Sequence, residues 1–347
     1  MSELRALLAD TAEKVFRRLD DEADFHRSWS RVAEAGLADV AVREDMGGFG
    51  GGLEDAVLVI KTAAMHAVRL PVAEAIVARA IAGEAGTSLD ESPITFAGHG
   101  SGLLEQEGGG LTYTGDLKGV AWGGASQQIA RSATLGSRLY LLILSRADAV
   151  RISPGHNLAG EARDDLGFDR AAVRAIETNR TERDCFTLAA LARTAQISGA
   201  LDRALALTIE HVKTREQFGR PLAGFQAVQQ QLAVLASEAA AVSCAVAAAA
   251  RAWDRGDASF EIGAAKLRAN EAVDLATSIA HQLHGAMGIT REHALHRFTQ
   301  RLWAWKSEYG NDRFWAQRLG AQACAQGADS LWPFVTARGA AVANRLT

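Results

Sequence analysis

Proline is nearly absent from this chain. Five prolines stand in 347 residues, while alanine makes up about a fifth. Because proline breaks helices and alanine favours them most, the chain has to be mainly helical. Glycine then marks where helices stop. The longest helical patterns lie in the C-terminal half, from Asp184 to about Lys213, from about 226 to 254 and from about 258 to 284. They are broken by Gly219 with Pro221, by Gly256, and by Gly285 with Gly288; shorter patterns follow around 292–306 and 311–326. Long helices with short connections fold back on one another, so this half is expected to be an antiparallel bundle. Asp184 reads as the N-cap of its first helix.

The first 90 residues are helical as well. Leu4, Leu7, Leu8, Val15, Phe16 and Leu19 recur near the 3.6-residue period, and a second helix carries Trp29, Val32 and Leu37 with Gly36 near its end. The run from Met46 to Gly52 is too glycine-rich for a helix interior and is read as a loop; it has neither a Walker lysine nor a strand leading into it. Between 91 and 180 the character changes. Glycine clusters separate short β-like runs at Ile94–Ala97, Leu111–Thr114, Leu139–Leu144 and Ala171–Ile176, the pattern of a small antiparallel β domain. The expected architecture is an N-terminal helical domain (1–90), a small middle β domain (91–180) and a C-terminal helical bundle (181–347).

Several function classes drop out. Lys+Arg number 37 against 41 Asp+Glu, a net charge of −4, which offers no excess positive charge for a nucleic acid. The three cysteines, Cys185, Cys244 and Cys324, are far apart and lack metal-ligand spacing, so reduced thiols in a cytoplasmic protein are expected, with Cys244 buried in an alanine-rich helix. The N-terminus, Met1-Ser2-Glu3-Leu4-Arg5, leads into charged amphipathic sequence. The most apolar stretch, Ala239 to Ala250, is too short for a membrane span and reads as a helix–helix seam. Trp303, Trp305 and Trp315 read as core or interface anchors.

The densest polar signal is the turn from Lys213 to Pro221, continuing to Phe225 and Gln226. Arg215 offers a forked, permanent charge, Gln217 an amide, Phe218 a flat apolar face and Gly219 a chain reversal. That set suits an anionic aromatic ligand such as a dinucleotide; it equally suits a charged helix–helix turn with Phe218 plugging the core. A second candidate site comes from two HxxH pairs, His281 with His284 and His293 with His296, each on one helix face. No carboxylate or cysteine pattern supports a metal there, so solvated or capping histidines, and no metal, are expected.

The segment TREQFGRPLAGFQAVQQQLA, the later Gln282-Leu283-His284-Gly285-Ala286-Met287-Gly288 and the early Glu44-Asp45-Met46-Gly47-Gly48-Phe49-Gly50 together resemble the acyl-CoA dehydrogenase family. These are flavoproteins that desaturate acyl-CoA thioesters, with helical, β and helical domains in this order. The resemblance implies FAD. It places Arg215 and Phe218 against the flavin nucleotide of a neighbouring subunit, adds Gln226, and sets Gln282, Gly285 and Ala286 beside the adenine-diphosphate part; Gln217 and Asn311 are taken as further cofactor-binding candidates. Trp122 is a partial equivalent of the family's flavin-ring tryptophan. It also implies a homodimer, homotetramer or heterotetramer with a paralogous subunit, and an electron-transfer flavoprotein as acceptor.

The family base is a glutamate. Its usual place is taken here by Tyr309, with Glu308 one residue earlier as the candidate base, and its alternative place on the first bundle helix is Ala189. Thr187 and Ala190 stand where family members often carry groups that hold acyl-CoA. The shortened β domain and the Arg301–Trp305 pattern resemble the smaller subunits of bacterial heteromeric acyl-CoA dehydrogenases that act on steroid-type substrates. Two functions follow. One is FAD-dependent α,β-dehydrogenation of a bulky acyl-CoA by this chain. The other is a non-catalytic subunit that completes the flavin site of a glutamate-bearing partner.

Overall fold

The computed structural model describes residues 3–19 and 24–343; Met1 and Ser2 lie outside them. Helices α1 (Glu3–Arg17), α2 (Phe25–Glu34), α3 (Leu53–Met65) and α4 (Val72–Glu84) form the N-terminal layer. The apolar stripe of α1 closes on α3, and Leu8, Ala12 and Phe16 of α1 are buried, as are Trp29 and Val32 of α2. Leu37 falls outside α2, in a separate 3-10 turn, because Gly36 takes φ 65° and ends the helix. The glycine-rich run is a loop, as expected. A side chain at Gly48 would come within 2.2 Å of the Val42 carbonyl oxygen, so this position has room only for glycine.

The middle region holds β1 (Ile94–Phe96), β2 (Gly100–Glu107), β3 (Gly110–Ala121), β4 (Gln128–Leu135), β5 (Arg138–Ser145), β6 (Ala149–Ser153), β7 (Arg163–Ala172) and β8 (Arg174–Thr178). They make two four-stranded sheets, ordered β1-β4-β5-β8 and β2-β3-β7-β6. Tyr113, Leu117, Ile129, Leu142, Leu144, Leu166 and Phe168 fill the space between them. The antiparallel expectation fails at one pair: β1 runs parallel to β4, with Ile94 opposite Gln128. The run 171–176, read as one strand, is divided at Val173, where the chain leaves one sheet for the other.

The C-terminal half is built on α5 (Glu182–Thr214), α6 (Gln226–Trp253) and α7 (Ser259–His284), followed by α8 (Leu295–Trp305), α9 (Asp312–Gln326) and α10 (Ala328–Ala343). Helix α10 contains Pro333 and has no counterpart in the sequence reading. The cap of α5 is Thr181 and not Asp184. Thr181 Oγ1 accepts from the Asp184 N–H at 3.1 Å and Asp184 Oδ2 accepts from the Thr181 N–H at 3.0 Å, a reciprocal capping box.

Leu235, Ala239, Val242 and Val246 turn one face of α6 inward, while Gln230, Ala233, Ser237, Ala240, Cys244 and Ala248 leave the other face exposed. Cys244 is therefore on the surface, contrary to expectation, because alanine on every side of a helix gives no sign of which face is inner. Cys185 is the buried thiol, pushed up to about 12 by desolvation.

Candidate active site

Helix α5 stops at Arg215, whose backbone turns extended (φ −80°, ψ 121°). Its N–H donates to the His211 carbonyl at 2.8 Å, and its own carbonyl accepts from the Leu222 N–H at 2.9 Å. Between these bonds a minimal hairpin forms from β9 (Glu216–Gln217) and β10 (Arg220–Pro221), with Gln217 opposite Arg220. Phe218 and Gly219 at its tip both take positive φ, 51° and 78°, the geometry of a tight two-residue hairpin turn. The Phe218 ring is 91% exposed, touching Phe225 edge-on at 6.2 Å. It does not plug the core.

Helix α7 ends at Gly285 (φ 60°, ψ −143°), a conformation open essentially only to glycine, with free space where a side chain would stand. His211 of α5 stacks on His284 at 4.4 Å, which draws this end to the base of the hairpin. Arg215, Gln217, Phe218, Gln226, Gln282, Gly285 and Ala286 are all exposed. The two motifs thus share one end of the bundle and face outward, an arrangement that fits an anionic nucleotide laid across it from outside. Trp122 and Asn311 do not join this set. Trp122 is buried with the Arg163 guanidinium 5.5 Å over its ring, and the Asn311 side chain accepts from the Phe314 N–H at 3.0 Å as the N-cap of α9.

The HxxH pairs do not converge as pairs. His281 contacts Thr299 Oγ1 at 3.1 Å and stacks on Trp303, and His296 Nδ1 donates to the His293 carbonyl at 2.7 Å. Instead His211, His284 and His293 come together from three segments, with one nitrogen of each ring within 4.8 Å of the others. His211, 73 residues from His284, carried no signal in the sequence.

Glu308 stands where three layers meet, and its carboxylate is fully engaged. Arg163 clamps it with Nε to Oε1 at 2.9 Å and Nη2 to Oε2 at 3.0 Å, Arg193 reaches Oε2 at 2.9 Å, and Asn157 Nδ2 donates to Oε1 at 3.1 Å. Burial acts to raise its pKa; the two arginines outweigh it and hold the group at about 2. The cluster extends further. Glu161 accepts from Arg301, Arg163, Trp305 and Asn157, and Glu74 of α4 pairs with Arg193 at 2.7 Å. Arg163, Arg193 and Arg301 thus interlock with Glu74, Glu161 and Glu308.

Tyr309 beside it takes φ 54°, is buried, and has its phenol pushed well above the ordinary range by desolvation. Ala73, Glu74, Val77, Ala189, Ala192, Arg193, Gln196 and Tyr309 leave a cavity of only about 10 Å³, no more than one water needs.

The family models for the acyl-CoA dehydrogenase N-terminal domain and C-terminal domain match residues 1–87 and 181–311, together more than half of the chain. The chain belongs to the acyl-CoA dehydrogenase family. It is an oxidoreductase of that class, with the family's order of helical, β and helical regions. It is 29% identical over 279 residues to the acyl-CoA dehydrogenase IpdE2 of Mycobacterium tuberculosis, covering 79% of each chain. It is 26% identical over 342 residues to that of Mycolicibacterium smegmatis, covering 93% of this acyl-CoA dehydrogenase and 99% of the relative. Among solved structures, the ChsE4–ChsE5 complex from Mycobacterium tuberculosis shares the fold at a TM-score of 0.82 and 22% identity, covering 94% of this chain and 99% of that one. The Tcur3481–Tcur3483 steroid ACAD matches at a TM-score of 0.82 and 25% identity, covering 92% and 98%.

Proposed function

We propose that this chain is the flavin-completing subunit of an FAD-dependent enzyme that α,β-dehydrogenates a bulky, steroid-type acyl-CoA thioester. In this reading it works in a heterotetramer with a paralogous subunit that carries the catalytic carboxylate, and an electron-transfer flavoprotein takes the electrons. The observation that carries the proposal is the filled junction around Glu308. A base that removes an α-proton must be free to accept it near neutral pH, whereas a carboxylate held at about 2 by two arginines binds a proton poorly. The alternative position, Ala189, has no acid. The steroid-type substrate rests on the likeness to the heteromeric relatives and is this reading's expectation for the acyl group.

The exposed end of the bundle supplies the other half of the argument. FAD, when bound, supplies the hydride acceptor. This chain's residues bind and orient it: Arg215 neutralises a pyrophosphate, Phe218 covers a flat ring face, and Gly285 lets the backbone come close. Trp122, with one ring face already taken by Arg163, fits a packing role better than a flavin platform. The outward alanine-rich face of α6 suits close packing against another subunit.

Expression of this chain alone and together with a glutamate-bearing paralogue separates the two readings. The proposal expects visible flavin absorbance, bleached by acyl-CoA, only from the co-expressed assembly. A yellow protein from this chain alone that acyl-CoA bleaches, and that Glu308→Gln renders unbleachable, would overturn it.

A further inference from the structure

The three histidines at the hairpin end are not used by the function proposed above. They come from three separate places: His211 from the last turn of α5, His284 from the last turn of α7, and His293 from the turn before α8. His284 is 4% exposed. Its Nδ1 donates to the Ala280 carbonyl at 2.8 Å, which fixes the tautomer and leaves Nε2 as a bare lone pair. That Nε2 is buried and has no hydrogen-bond partner, while the centroids of the His211 and His293 rings lie 4.4 Å and 4.6 Å from that of His284. A buried polar atom without a partner is uncommon enough to call for a ligand. Two further imidazoles beside it define which kind.

We infer that His211, His284 and His293 form a binding site for a first-row divalent metal, zinc foremost, through Nε2 of His284 and one nitrogen of each of the other two rings. Three imidazoles with one open position are an ordinary zinc donor set. The backbone bond at Nδ1 of His284 is the kind of second partner that orients a ligating histidine. Ligand nitrogens around a tetrahedral zinc stand roughly 3.3 Å apart, since each lies at about 2.0–2.1 Å from the metal. The group here lies within 4.8 Å, and reaching that distance requires the His211 ring, now stacked on His284, to turn out of its stack. His293 gives up a long 3.2 Å contact from the Leu295 N–H if it binds through Nε2. Such a metal would tie α5, α7 and the start of α8 into one unit directly behind the hairpin. This site does not depend on the flavin reading.

The test uses the full-length chain, in whatever assembly it purifies, stripped of metal by chelation and titrated with zinc by calorimetry, with elemental analysis of the dialysed product. The expected result is one saturable zinc per copy of this chain and a raised melting temperature on binding. His211→Ala and His293→Ala, both at half-exposed positions, should each weaken binding at least about tenfold, and the pair should abolish both the binding step and the melting shift. His296→Ala, outside the group, should change neither. Absence of a saturable step, binding that survives the double substitution, or equal loss in His296→Ala would overturn the assignment. Because these readouts involve neither flavin nor acyl-CoA, their outcome is separate from that of the co-expression experiment.

Discussion

Replacing Glu308 by glutamine keeps the shape of the side chain and removes one charge from a buried ion-pair cluster. Arg163 and Arg193 would each lose one carboxylate partner and keep one, Glu161 and Glu74 respectively. Removing one partner of a buried ion pair typically costs about 3–5 kcal/mol. Glu308 keeps a fifth of its side chain exposed, and water reaching that edge brings the expectation to the lower end, about 3 kcal/mol. At roughly 2 °C per kcal/mol for a chain of this size, the melting temperature should fall by about 6 °C. The assay is thermal unfolding of the wild type, Glu308→Gln and the double variant Glu308→Gln/Arg163→Gln, which also removes the cation that clamps Glu308 and should recover part of the loss. A melting temperature unchanged by Glu308→Gln would refute the structural role. If flavin reduction then vanished with stability intact, the carboxylate would have to be a free base and not a clamped one.

Other outcomes follow from the same geometry. The folded pKa of Glu308, about 2, lies below the unfolded value of about 4.3, so its stabilisation is complete above that value and is lost as pH falls towards 2. Acid unfolding should show this loss, worth about 3 kcal/mol, and Glu308→Gln should flatten that part of the curve. Arg215→Ala and Phe218→Ala alter exposed groups, so melting should move by less than about 0.5 kcal/mol while the FAD retained by the assembly falls; retention equal to wild type would remove the hairpin from the nucleotide site. A methyl at Gly98 would meet the Tyr309 ring at 2.3 Å, so Gly98→Ala should cost about 1–3 kcal/mol by overpacking, measured by denaturant unfolding. Lys266 Nζ donates to Asn270 Oδ1 at 2.6 Å and to the carbonyls of Lys306 and Gly310 at 3.1 Å each. Lys266→Met should therefore destabilise by about 2 kcal/mol or more, as those acceptors lose their donor.

Much of the helical framework is legible in the sequence because proline and glycine punctuate it plainly. Helices α6 and α7 begin and end within a residue of the patterns that announce them. The β region is legible only where burial is continuous. Leu139–Leu144 reads as a strand and is one, whereas β2 is mostly exposed and polar, and β7 is bulged against β3 and breaks any regular alternation. The exposed motif residues are recognisable by their pattern, yet their outward placement is a matter of what surrounds the folded chain, which spacing does not encode. Glu308 shows the limit most clearly. Its neighbours in sequence suggest a base, but its state is set by Arg163 and Arg193, 145 and 115 residues away, and only folding brings those charges to it. His211 is invisible as a partner of His284 for the same reason.

The ring at the hairpin tip also bears on the chain's life before assembly. Phe218 stands 91% exposed on a two-strand turn whose backbone is already paired, so a docking partner has only the side chain left to order. In the heterotetramer proposed above, a copy made ahead of its companion would carry that apolar face in water, and the relative supply of the two chains would then govern how long it stays uncovered.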